Sequence, residues 1–137
     1  MKSFLVLFIM VLSVCSAKAQ PTEFYELYFE GNSLLVKAQY TKAIENYNKA
    51  LKLFEADYIY FNRGNAYMGK RDYENALKDF NKTLSMNKDY IEAYCQRGLV
   101  KVQLKDKTCC DDLKKAAKLN SPEAVIAIEK VCQKQKK

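Results

Sequence analysis

At 137 residues the chain is long enough for one domain. An apolar share of 49% is ample for a packed core, but 4 Gly and 2 Pro are too few for the many turns of a sheet protein, so helices are expected. The absence of His removes the ordinary general base, and the net charge of +7 is a modest excess that suits acidic partners or anionic surfaces without demanding them.

The first segment reads as an address and not as part of the fold. Lys2 gives a short positive start, Phe4 to Val14 is apolar apart from Ser13, and Ala17-Lys18-Ala19 is the small-x-small pattern that a signal peptidase cuts after. The apolar run falls well short of the roughly 20 residues that a helix needs to cross a hydrocarbon core. A signal peptide over 1–19 is therefore expected, with Gln20 as the mature start and a periplasmic or extracellular destination. The rivals are an uncleaved anchor, which the short run disfavours, and a lipoprotein acylated at Cys15, where bulky Val14 occupies the place of a small residue. Cleavage would remove Lys2 and Lys18 and lower the net charge from +7 to +5.

Beyond this segment, three stretches can be superposed: Leu27 to Leu53, Tyr60 to Met86 and Tyr94 to Leu119. Gly31 recurs at Gly64 and Gly98, 33 and then 34 residues on, while Ala43, Ala76 and Cys109, like Tyr47, Phe80 and Leu113, recur every 33. Each stretch is two amphipathic helices. In the middle one, Tyr60, Arg63, Gly64 and Tyr67 keep i, i+3, i+4, i+7 spacing, and Ala76, Phe80, Thr83 and Leu84 form the second face. The polar break Gly69-Lys70-Arg71-Asp72 supplies a Gly for the turn between them. A Gly inside a helix costs about 1 kcal/mol relative to Ala, so its return at one place implies that two helices need the missing side chain. Tyr47, Tyr60, Tyr67 and Phe80 are assigned to the core.

The pattern resembles the tetratricopeptide repeat family, in which an aromatic, Leu-Gly and Tyr precede an Ala, a Phe and a closing Pro. The middle stretch carries it through Tyr60, Gly64, Tyr67, Ala76 and Phe80, the first through Gly31, Ala43 and Tyr47, the third through Tyr94 and Gly98. The family's Leu position is occupied by Glu30, Arg63 and Arg97, and its Pro is displaced to Pro122. The resemblance implies an all-α fold, an α-α superhelix or solenoid of three helix pairs over about 24–56, 57–90 and 91–120. Ser121-Pro122-Glu123 then starts a further helix, to about 134, whose apolar face (Ala124, Val125, Ala127, Ile128, Val131, Cys132) would cap the stack, leaving a basic tail at 134–137.

In such a stack the start of the last repeat's second helix runs antiparallel to the end of the cap, which places Cys110 near Cys132. Similar small exported repeat proteins imply the same disulfide, apt for an oxidising compartment. Cys109 then serves as a small residue in Ala's place, and Cys95 is left over as a free thiol, an intermolecular crosslink or another cysteine's partner. Without His or paired zinc spacing, no metal or other cofactor is expected.

Groove positions carried over from the family are Tyr25, Tyr28 and Asn32, then Tyr58, Phe61, Asn62, Asn65 and Met68, then Glu92, Cys95, Gln96, Leu99 and Val102. Some relatives grip a terminal carboxylate with Lys and Arg there. Asn32, Asn62 and Asn65 resemble part of that clamp, but Tyr28, Tyr58 and Gln96 stand where its cations would be. No catalytic residues are identifiable: Cys lacks an activating partner and no Gly-rich phosphate loop is present. The function expected is a non-enzymatic scaffold for a protein or peptide partner, with no nucleic acid and no transmembrane span after cleavage. The alternative is a structural or self-assembling envelope protein, a homodimer joined through its first helix. Minor readings are a thiol-active Cys109–Cys110 pair and an oligonucleotide binder.

Overall fold

A computed structural model describes residues 20–133. The signal expected at 1–19, Cys15 included, and the tail at 134–137 lie outside the described residues. Among the described residues seven helices run in order: α1 Gln20–Val36, α2 Tyr40–Leu53, α3 Asp57–Gly69, α4 Tyr73–Met86, α5 Ile91–Gln103, α6 Cys109–Lys118 and α7 Pro122–Val131. Each packs on the next, and α1, α3, α5 and α7 also touch in series, so these four form one layer and α2, α4 and α6 the other. This is an all-α solenoid of helix pairs.

The recurring glycines explain how the layers approach. A Cβ on Gly31 would lie 2.7 Å from Cε1 of Tyr47, one on Gly64 2.8 Å from Cε1 of Phe80, and one on Gly98 2.8 Å from Cδ2 of Leu113. Tyr47, Phe80 and Leu113 are wholly buried, so each unit inserts its largest second-helix side chain into the notch that glycine leaves in the first helix. Ala43, Ala76 and Cys109, one turn earlier on that second helix, are equally buried.

The turns correct one expectation. Gly69 does not supply a left-handed turn residue: no glycine has positive φ among the described residues, and the left-handed positions are Ala38, Arg71 and Lys105, with Asn120 before the cap. Each closes its helix with the same pair of bonds. Arg71 N–H donates to the Met68 carbonyl at 2.9 Å and Asp72 N–H to that of Tyr67 at 2.9 Å, and the other three turns repeat this arrangement. A left-handed non-glycine residue costs roughly 1–2 kcal/mol, so four of them show that helix packing dictates the turn. Gly69 is small for another reason: a Cβ there would run into the Tyr40 ring of the preceding pair.

The cap starts as its residues dictate. The Ser121 hydroxyl accepts from Ala124 N–H at 3.3 Å, and Pro122 stands at the first helical position, where no N–H is needed. Its Ala124 and Ala127 close over Cys95, Leu113 and Ala116. Among the described residues, no helix is long and apolar enough to cross a membrane.

Candidate functional site

The first-layer helices have a side held in the stack and a side left open, and their polar residues divide accordingly. On the stacked side, Arg63 donates from Nε and Nη2 to Asp79 at 2.8 and 2.7 Å, and from Nη1 to Asn48 of the preceding pair at 2.6 Å. One unit on, Arg97 binds Asp112 at 2.8 and 2.6 Å and Asn81 of the preceding pair at 2.8 Å, with Lys101 also on Asp112 at 2.8 Å. Each arginine thus clasps its own pair to the one before it through a planar fork. These arginines occupy the position where the family has Leu, so against the motif they count only as departures. The sequence signal that points to the clasp is the common recurrence of Arg63, Asp79 and Asn48 as Arg97, Asp112 and Asn81.

Burial and partner act in opposite directions on the first clasp. Burial raises the Asp79 carboxyl above its usual range even though Arg63 opposes the shift, while for Arg63 burial is outweighed by Asp79, which holds the guanidinium charged. Tyr60 and Tyr67 are less buried than Tyr47 and Phe80, although Tyr67 still packs against the core. They are half-buried with Arg63 between their rings, at 5.3 and 6.0 Å from the centroids, because a charged group at the clasp keeps that surface partly wet.

The open side lies one residue past each glycine, turned about 100° from the packed contact. Asn32 accepts from the Tyr47 hydroxyl at 2.8 Å and from the Asn62 amide at 3.0 Å, and Asn62 also reaches the Tyr28 hydroxyl at 3.5 Å. The Tyr28 and Tyr58 rings meet edge to face at 5.1 Å. Asn65 is half-buried and its amide takes no partner among the described residues, nor is it among buried polar atoms left unpaired, so it reaches solvent. Tyr25 is 54% exposed, and Glu92 is exposed in the same layer. Phe61 and Met68 instead pack partly into the cluster of Ala76, Phe80 and Val100.

The third unit differs from what the carried-over positions imply. Cys95 is buried under the cap, with burial pushing its thiol up and Ser121 opposing, so it is neither a groove residue nor available for an intermolecular bridge. Leu99 is partly buried against the same cluster. Gln96 and Val102 are half-buried. Two aromatics lie outside the family's positions and yet belong to this side: Phe29, 63% exposed, and Tyr90, whose ring lies 4.8 Å from that of Phe61 and whose hydroxyl burial pushes up to about 12. The structure brings Cys110 and Cys132 together with Cα atoms 5.9 Å apart, a separation that disulfides span, while Cys109 is buried with its sulfur 3.8 Å from that of Cys110.

Stacked antiparallel helix pairs with one covered side and one open side define a helical-repeat scaffold. The tetratricopeptide repeat model matches residues 58–90. The first tetratricopeptide domain of Spaghetti, solved bound to the HSP90 peptide SRMEEVD, superposes with a TM-score of 0.80 at 24% identity, over 85% of this chain and 95% of that one. The Sgt2 domain of Aspergillus fumigatus gives 0.78 at 24% over 83% and 80%, and the C. elegans myosin chaperone UNC-45, solved with an Hsp90 peptide, gives 0.77 at 27% over 82% of this chain and 14% of that one. No curated protein sequence matches. The middle pair thus carries the sequence of a tetratricopeptide repeat, and the three pairs share the fold of tetratricopeptide domains.

Proposed function

We propose that this protein is an exported scaffold that holds an extended protein or peptide segment on the concave face made by α1, α3 and α5. The observation that carries the reading is the division of polar groups. Those on the stacked side are consumed by neighbouring repeats, whereas the Asn65 amide, the Glu92 carboxylate and the rings of Tyr25 and Phe29 stay available to solvent. An amide both donates and accepts, which suits a peptide backbone, and exposed aromatics offer large contact area at low entropic cost. Two of the similar structures were solved with chaperone peptides, which supports a segment of chain as the class of ligand.

The test is selection from a random peptide library on the exported protein, repeated with Tyr25→Ala and Asn65→Ala variants. Peptides enriched by the parent and lost by the variants support the reading; enrichment that both variants leave intact contradicts it. Export is checked by fractionation and N-terminal sequencing, with Gln20 expected as the first residue. Non-reducing peptide mapping of that material should find Cys110 joined to Cys132, which in the chain-entropy model stabilises by about 3 kcal/mol for a loop of 22 residues.

A further inference from the structure

Six aromatic rings run in contact across the first helix pair and onto the second. Phe54 meets Phe24 at 5.6 Å, Phe24 meets Tyr25 at 5.3 Å, Tyr25 stacks on Phe29 at 6.3 Å, Phe29 meets Tyr28 at 5.4 Å, and Tyr28 meets Tyr58 at 5.1 Å. Half of this ladder is solvent-facing, with Tyr25, Phe29 and Phe54 exposed by 54%, 63% and 60%. Elsewhere the molecule lays its own cations on its tyrosines: Arg63 and Lys82 on Tyr60, Arg97 and Lys115 on Tyr94. Helix α1 supplies none, since it carries Glu23, Glu26 and Glu30 and no Lys or Arg.

The first helices of the other two pairs have the same balance. The cations on α3 and α5 are Arg63, Arg97 and Lys101, each already paired with Asp79 or Asp112. Glu92 stands exposed at the far end. In a chain of net charge +7, the three helices that bear the open aromatics therefore have carboxylates to spare and no uncommitted cation.

We infer that the segment held on this ladder is cationic, a stretch of chain whose lysine or arginine side chains lie on the rings of Tyr25 and Phe29 and extend toward Glu92. The inference rests on the peptide-holding reading and deepens it. Ring faces attract ammonium and guanidinium groups, and nearby carboxylates raise the local concentration of cations. An acidic peptide would find no uncommitted cation on these three helices.

Isothermal titration of the full exported protein with three heptapeptides, KAKAKAK, QAQAQAQ and EAEAEAE, tests this at low and moderate salt. Binding should follow the order lysine, glutamine, glutamate, and the lysine peptide should weaken as salt screens the carboxylates. Phe29→Ala, at a position too exposed to threaten the fold, should weaken the lysine peptide by about three- to tenfold. Equal binding of the lysine and glutamine peptides overturns the cationic ligand and leaves the peptide-holding reading standing. Tighter binding of the glutamate peptide, or an unchanged constant for Phe29→Ala, also overturns it. A concentration-dependent dimer in sedimentation that Phe29→Ala abolishes would overturn it in favour of a second copy of the chain. No binding by any of the three, with peptides still selected from the library, sinks the charge inference alone; failure of both removes the reading beneath it.

Discussion

Arg63 and Asn65 stand two residues apart on α3 and meet opposite fates. Arg63 is turned into the stack, where Asp79 and Asn48 take up its nitrogens. Asn65 is turned out, with its amide open to water. The difference separates what holds repeats together from what remains to meet a partner. The first pair sharpens the contrast: Glu30 and Asn46 occupy the clasp positions there, Glu30 is exposed, and the Asn46 amide only returns to its own Lys42 carbonyl at 3.2 Å. Among the described residues no repeat precedes this pair, and the clasp is absent there. At the other end Lys114 succeeds Asn48 and Asn81 in register, so no acceptor is offered beyond the third pair, where the cap takes over.

The contrast can be broken hardest at Asp112. Asp112→Ala would leave both Arg97 and Lys101 in a half-buried site without their carboxylate, and losing one member of a buried pair costs about 3–5 kcal/mol. Chemical denaturation should show that loss, and a smaller one for Asp79→Ala, which strands Arg63 alone. Next comes Gly64→Leu, expected to cost about 3 kcal/mol because the side chain must displace the buried Phe80 ring, and read as a lowered melting temperature. An unchanged melt would mean that the glycine notch is not where the layers meet.

A gentler probe is alkaline titration. Burial, reinforced by Glu92 and Asp57, puts Tyr90 at about 12, and burial also raises Tyr47, Tyr58, Tyr60 and Tyr67. An unfolded phenol ionises near 10. The folded chain therefore holds these protons longer, and the stability they contribute is complete below pH 10 and lost as the pH climbs through about 12. Phenolate absorbance should rise in two phases, the later one coinciding with loss of helical circular dichroism. A single phase near 10 with helix intact would contradict the burial.

Much of the fold was legible because repetition amplifies weak signals. One glycine in a helix says little; Gly31, Gly64 and Gly98 facing Tyr47, Phe80 and Leu113 name the contact between the layers. The clasp escaped because a family motif shows what stands at the Leu position and not what an arginine there could reach in the next unit. The turns escaped because left-handed backbone is most readily placed at glycine, whereas packing imposes it on Ala38, Arg71 and Lys105. Tyr25, Tyr28, Asn32 and Asn62 were singled out from the family's positions, and the structure sets Tyr28, Asn32 and Asn62 within hydrogen-bond reach of one another. The burial of Cys95 was not legible there, because the family's positions do not show how closely the cap packs over it.

The division between stack and open face is tested most directly by comparing Asn65→Ala with Asn48→Ala on the same two readouts, melting temperature and capture of library-selected peptides. Removing a side-chain hydrogen bond costs about 0.5–1.5 kcal/mol wherever the bond is made. Asn48 makes its bond in the part-buried stack, to Arg63 at 2.6 Å, so that variant should melt lower and capture peptides as the parent does. Asn65→Ala should melt with the parent and lose capture. Lowered melting with undiminished capture in Asn65→Ala would contradict the account and leave this asparagine a purely structural role.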